Sequence, residues 1–143
     1  MVIKGRLNKF RGSVGRMWQL RKQGANTRQM TRAAGTSSVM YGCDVQGISD
    51  SLLRQQTSTI ARAAAPPGPG GNCTVTLYVL DGPKGSLDPS FDAHGLLVKH
   101  WASAWWEDWA PTESLKLAHL NAKEKFAGTS PSWNAVAGPA AAL

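Results

Sequence analysis

The chain has 143 residues, a length for one domain that buries about two-thirds of its unfolded surface. Its charge is lopsided: residues 1–65 hold eleven Lys and Arg against two acids, and residues 66–143 hold five Lys against seven acids. No apolar run is long enough for a membrane span, no signal-peptide core follows the first cations, and Cys43 and Cys73 form neither a CxxC pair nor a zinc ribbon. These features lead to an expected intracellular protein, nuclear or cytoplasmic, with a polyanion as partner for its first half.

Residues 3–22 read as a helix, because Ile3, Leu7, Phe10, Val14 and Met17 recur at spacings of four and three, with Trp18 beside them. Lys4 and Arg11 flank one edge of this stripe, and Arg6, Lys9 and Arg16 lie beyond the other. Gly5, Asn8, Gly12, Gly15 and Gln19 occupy the middle of the polar face; three interior glycines weaken the helix by roughly 1 kcal/mol each. Gly24 is its expected stop. Thr27 is the expected cap of a second helix carrying Met30, Ala33, Ala34, Ser37, Val39, Met40 and Tyr41, ended by Gly42 or Gly47. Ser49 or Asp50 then caps a third, through Leu52, Leu53, Ile60 and Ala64.

The run Pro66 to Asn72 cannot continue a helix and reads as an exposed loop, where the charge also changes sign. Residues 73–80, "CTVTLYVL", are ambiguous: their β-branched residues favour a strand, but a lone strand has nothing to pair with, so a short buried helix stays open. Asp88 as cap and Pro89 as first residue open a helix with Leu97, Trp101, Ala104 and Trp105 on one face. Pro111 breaks it. Thr112 opens another, with Leu115, Ala118, His119, Ala122 and Phe126 on one side and Gly128 as its stop. The expected fold is mainly α: an irregular bundle of about five to six helices with long Pro/Gly loops. Its expected parts are a basic three-helix part over 1–65, a loop over 66–72 and a Trp-rich helical part over 73–143.

Catalytic patterns are missing from the sequence. Glu107 and Asp108 are adjacent and diverge on a helix, the three histidines have no compact metal spacing, and Gly68, Gly70 and Gly71 follow prolines instead of a strand. No cofactor is expected. Trp101, Trp105, Trp106 and Trp109 could stack bases, but with Lys99 as the one nearby cation they read as core, Trp105 included.

The order of several short motifs carries a family resemblance. "RLNKFRGSVGRMWQLRKQGANTRQM" followed by "SSVMYGCDVQGISDSLLRQQTSTIARAA" resembles the region after the catalytic palm in non-LTR retrotransposon-type reverse transcriptases. The matching steps are Tyr41-Gly42, Val45, Gly47, Ser49-Asp50 and Leu53. Asp88-Pro89, Trp101-Ala102 and Gly138-Pro139-Ala140 resemble downstream segments of related open reading frames. The resemblance implies a thumb-and-connection fragment whose pattern continues past Leu143, with a palm domain as missing partner. The family's Tyr-x-Asp-Asp motif is absent, and Asp44 alone cannot hold two metal ions, so no polymerase activity is expected.

The implied function is sequence-independent binding of RNA or DNA backbone phosphates. The expected contacts are Lys4, Arg6, Lys9, Arg11, Arg16, Arg21, Lys22, Arg28 and Arg32. Tyr41, Gly42, Asp50, Asp88, Trp101 and Trp105 are expected to be architectural, with Tyr41 buried at the helix junction. The alternatives are an independent helix-turn-helix-like DNA-binding module and a helical protein-interaction domain.

Overall fold

The apolar stripe of the first helix sets the packing of everything around it. Helix α1 spans Val2–Lys22, and Ile3, Leu7, Phe10, Val14 and Met17 are all buried. Burying each such side chain contributes roughly 1.5–3 kcal/mol, which offsets the glycines on the opposite face. Gly24 takes a left-handed conformation, and its N–H donates to the Arg21 carbonyl, ending the helix as expected. The structure, a computed structural model, describes residues 2–43, 47–65, 71–82 and 85–127, excepting the side chains of residues 125 and 126. Among the described residues there are six helices and no β-strand, so the fold is mainly α.

Helix α2 is a run of three consecutive segments: α-helical Thr27–Thr31, a π-helical turn over Arg32–Ser37, and α-helical Ser38–Met40. Its cap is Asn26, not Thr27. The Asn26 side chain accepts from the Arg28 N–H at 3.2 Å, and Thr27 is buried as the first helical residue. The buried face also differs from the expected one: Thr27, Thr31, Gly35, Thr36, Val39 and Met40 are buried, whereas Met30, Ala33, Ala34 and Ser37 are exposed. From Arg32 on, the π turn contributes, because its wider winding shifts which residues point inward. It also needs Gly35, because a Cβ there would come within 2.6 Å of the Phe10 ring. Buried hydroxyls meet backbone: Thr31 donates to Thr27 O at 2.7 Å, and Thr36 donates to Leu87 O at 3.0 Å.

Tyr41 is not the buried residue that the motif implies. The chain leaves the helix there, with extended ψ at Tyr41 and positive φ at Gly42, and the ring is 75% exposed. Its partner is Arg6, whose guanidinium lies 5.4 Å from the ring centroid and donates to the Tyr41 carbonyl at 2.7 Å. Residues 44–46 of this junction, Asp44 and Val45 among them, lie outside the described residues, as do 66–70 of the Pro/Gly run, Gly128 and Gly138-Pro139-Ala140.

Helix α3 spans Asp50–Ala64. Asp50 is therefore in its first turn, where the charge favours the helix dipole, and the flanking position falls to Ser49. Leu53, Ile60 and Ala64 are buried as expected, together with Gln56, whose carboxamide has no hydrogen-bond partner among the described residues.

Residues 73–80 are helical. Helix α4, Cys73–Asp81, is capped by Asn72, whose side chain accepts from the N–H groups of Thr74 and Val75, and Gly82 closes it with positive φ. Two good caps outweigh the β-branched preference, which is a weak prior. Only Leu77 is buried; Val75, Tyr78 and Val79 are exposed. The Asp81 carboxylate accepts from the Ser86 hydroxyl and the Leu87 N–H, pinning the turn into α5, Pro89–Trp106. There Asp88 caps as expected, accepting from Ser90 N–H at 2.9 Å.

In α5 the buried line is Ala93, Leu97 and Ala104. Trp101 is half-buried, and Trp105 is 36% exposed, not a core residue. At about 100° per residue Trp105 lies roughly 100° round the helix from that line, so its ring reaches the rim. Trp105 stands edge-on to Trp101, with ring centroids 6.1 Å apart. The helix stops before Trp109, at Trp106. Helix α6 spans Thr112–Ala127, with Leu115 buried, His119 half-buried and Ala118 exposed.

The described residues divide into two compact units, one drawn from Met1–Tyr41 and Ser51–Asp92, the other from Gly42–Asp50 and Ala93–Leu143. Helices α3 and α4, on either side of residues 66–70, fall in the same unit.

Candidate nucleic-acid interface

The basic face is built on α1 and α2. Burial of the α1 stripe forces Lys4, Lys9, Arg11, Arg16 and Lys22 outward, and all five are exposed. At about 100° per residue Lys4, Arg11 and Lys22 form one row, and Lys9 and Arg16 form another, on either side of a polar strip. That strip holds Gly5, Gly12 and Gly15, where an added Cβ would meet nothing within 4 Å, together with the exposed side chains of Asn8 and Gln19. Arg28 and Arg32 add two exposed cations from α2. Among the described residues, no ion pair engages any cation of residues 2–65; the pair found is Lys116 with Glu113, at 3.0 Å.

Two of the nine expected contacts have a second role. Arg6 is tied to Tyr41, as above. Arg21 is half-buried and donates to the Ala64 carbonyl. Beside it the Trp18 indole N–H donates to the Arg62 carbonyl at 2.7 Å. Both carbonyls belong to the last turn of α3, whose orphan acceptors need such donors.

Arg62 itself was not among the expected contacts. It lines a cleft of about 60 Å³ with Arg11, Val14 and Thr59, so α3 adds a cation to the α1 row. No local signal in the sequence marks it; the packing of α1 on α3 places it there.

Arg32 lies within electrostatic reach of Asp92. Burial holds the Asp92 carboxyl above its ordinary value of 3.8; Arg32 pulls it back, and Asp88 pushes it further up.

The Trp-rich unit has a different chemistry. His100 lies 6.5 Å from Trp109, and His119 lies 6.4 Å from Trp101, ring centre to ring centre. Trp106 and Trp109 are exposed. Trp109 donates to Glu107 at 2.8 Å, so an acid already holds the edge of this aromatic group.

Among the described residues no group of three or more His, Cys, Asp and Glu is placed to hold a metal ion, and no helix is long and apolar enough to cross a membrane. Neither cysteine is in a disulfide; Cys43 is buried. Comparison with known families, characterised proteins and solved structures finds no match to this chain.

Proposed function

We propose that this chain is a non-catalytic module that binds nucleic acid through backbone phosphates, without reading sequence, in the manner of a reverse-transcriptase thumb. The observation that carries the reading is the pair of exposed cation rows on α1, straddling a strip of three glycines, Asn8 and Gln19. A phosphodiester backbone lying along that strip meets cations on both sides, and contacts to phosphate carry no sequence information. Lys and Arg without ion-pair partners among the described residues hold their charge for such a ligand, while Tyr41, on Arg6, adds a ring at the rim.

The test is a set of charge removals. Lys9→Gln, Arg11→Gln and Arg16→Gln together should weaken binding by the same factor for unrelated sequences, because each removes a phosphate contact. Weakening for one sequence alone would favour a helix-turn-helix reader instead. Primer extension with magnesium or manganese should give no product; extension by the purified chain would overturn the non-catalytic part.

A further inference from the structure

A second feature of the basic unit is a cavity of about 280 Å³ beside the α1–α2 turn. Arg21, Asn26 and Arg28 line it, and Ala25, Thr27, Ala64 and Leu80 supply the rest of the wall. No acidic residue lines it among the described residues. Its volume is just below the range of drug-sized pockets, which suits a compact polar group.

One of the two charges, that of Arg21, is set in place before any ligand arrives. Arg21 is half-buried, and its bond to the Ala64 carbonyl fixes the guanidinium while leaving other N–H groups to donate. The Asn26 carboxamide oxygen is engaged by the Arg28 N–H, so its NH₂ is the group left to offer. Two guanidiniums facing one space repel each other, and neither has a carboxylate partner among the described residues. An anion with several oxygens removes that repulsion and accepts from both forks.

The geometry points to a binding site for a phosphate-type dianion, a phosphate monoester or diphosphate, held between Arg21 and Arg28. The anion can come from the phosphorylated end of a strand or from free solution. The site stands on the cavity and its lining, and does not rest on the backbone-binding face of α1.

The probe is inorganic diphosphate, titrated calorimetrically into the full chain at low salt. Saturable binding at one site is expected. Arg28→Gln should weaken it roughly tenfold, the loss of about one charge-assisted hydrogen bond. Arg54→Gln, at an exposed cation of α3 that does not line the cavity, should leave it unchanged. Arg21→Lys keeps the charge but not the fork, and should weaken it as well with the fold intact by circular dichroism. Absence of saturable binding, or equal weakening by Arg54→Gln, overturns the site.

Oligonucleotides with and without a 5′-phosphate then separate the sources. A preference for the phosphorylated strand that Arg28→Gln abolishes assigns a strand end. Equal binding of the two strands, with diphosphate binding intact, assigns a free anion. Since diphosphate is measured alone, failure of nucleic-acid binding by the α1 face leaves this result standing, and the converse holds too.

Discussion

Helices α1 and α5 are similar in length, 21 and 18 residues, yet they divide their surfaces differently. In α1 the five residues of the apolar stripe are buried, and the rest is mostly cations, glycine and polar groups, with Trp18 half-buried and Val2 and Leu20 exposed. In α5 a narrow line of Ala93, Leu97 and Ala104 is buried, while Phe91, Val98, Trp105 and Trp106 are exposed. The first arrangement leaves charge on the surface. The second presents rings and aliphatic groups. The comparison teaches that large apolar residues mark a core where they keep strict helical phase, and a rim where they flank a line of smaller ones.

The largest effects should fall on the buried stripe. Leu7→Ala and Ile60→Ala, both at sites less than a tenth exposed, should each cost about 2–5 kcal/mol in urea denaturation. Trp106→Ala, at 89% exposure, should change stability by no more than about 0.5 kcal/mol despite losing a larger side chain. A loss of several kcal/mol at Trp106 would break the distinction between core and rim.

Gln56 is the exception within the buried set of α3. Its carboxamide lacks a partner among the described residues, so the near-isosteric Gln56→Met should stabilise the chain by about 1–2 kcal/mol in the same assay. Lower stability would mean that the amide is engaged.

Glycine substitutions sharpen the contrast between surfaces. Gly35→Ala drives a methyl into the buried Phe10 ring, and the overpacking should outweigh helix propensity by about 1 kcal/mol. Gly12→Ala meets nothing and should raise stability by about 0.5–1 kcal/mol. Thermal melts of the two variants should therefore move in opposite directions.

The smallest effect is electrostatic. Burial, partly offset by Arg32, raises the Asp92 carboxyl above 3.8, so the folded chain holds this proton more tightly than the unfolded chain. The contribution to stability is fully present below 3.8 and is lost as pH rises through the raised folded value. Melts of Asp92→Asn against the parent should differ most in favour of the variant at neutral pH, with the gap closing below the ordinary carboxylate range.

Much of the scaffold was legible because its signals are local. The α1 stripe, the stop at Gly24 and the Asp88-Pro89 start each need only neighbouring residues. The buried face of α2 was not, because the π turn depends on Gly35 meeting Phe10, a contact 25 residues away along the chain. Helix α4 is ambiguous in the sequence because its cap, Asn72, sits in what reads as a loop. Tyr41 misled because its partner, Arg6, is 35 residues distant. At the candidate site the cations could be counted from sequence. That Arg21 braces α3, and that Arg62 joins the α1 row, follows only from how those helices pack.

The central claim is that the cations of α1 bind a phosphate backbone, and the salt dependence of affinity tests it most directly. If the five exposed cations of α1 each displace a counterion, log K against log salt should fall with a slope of about −4.5 on duplex DNA and about −3.5 on single strands, whatever the sequence. A slope near zero, or a steep slope confined to one duplex sequence, would contradict the account.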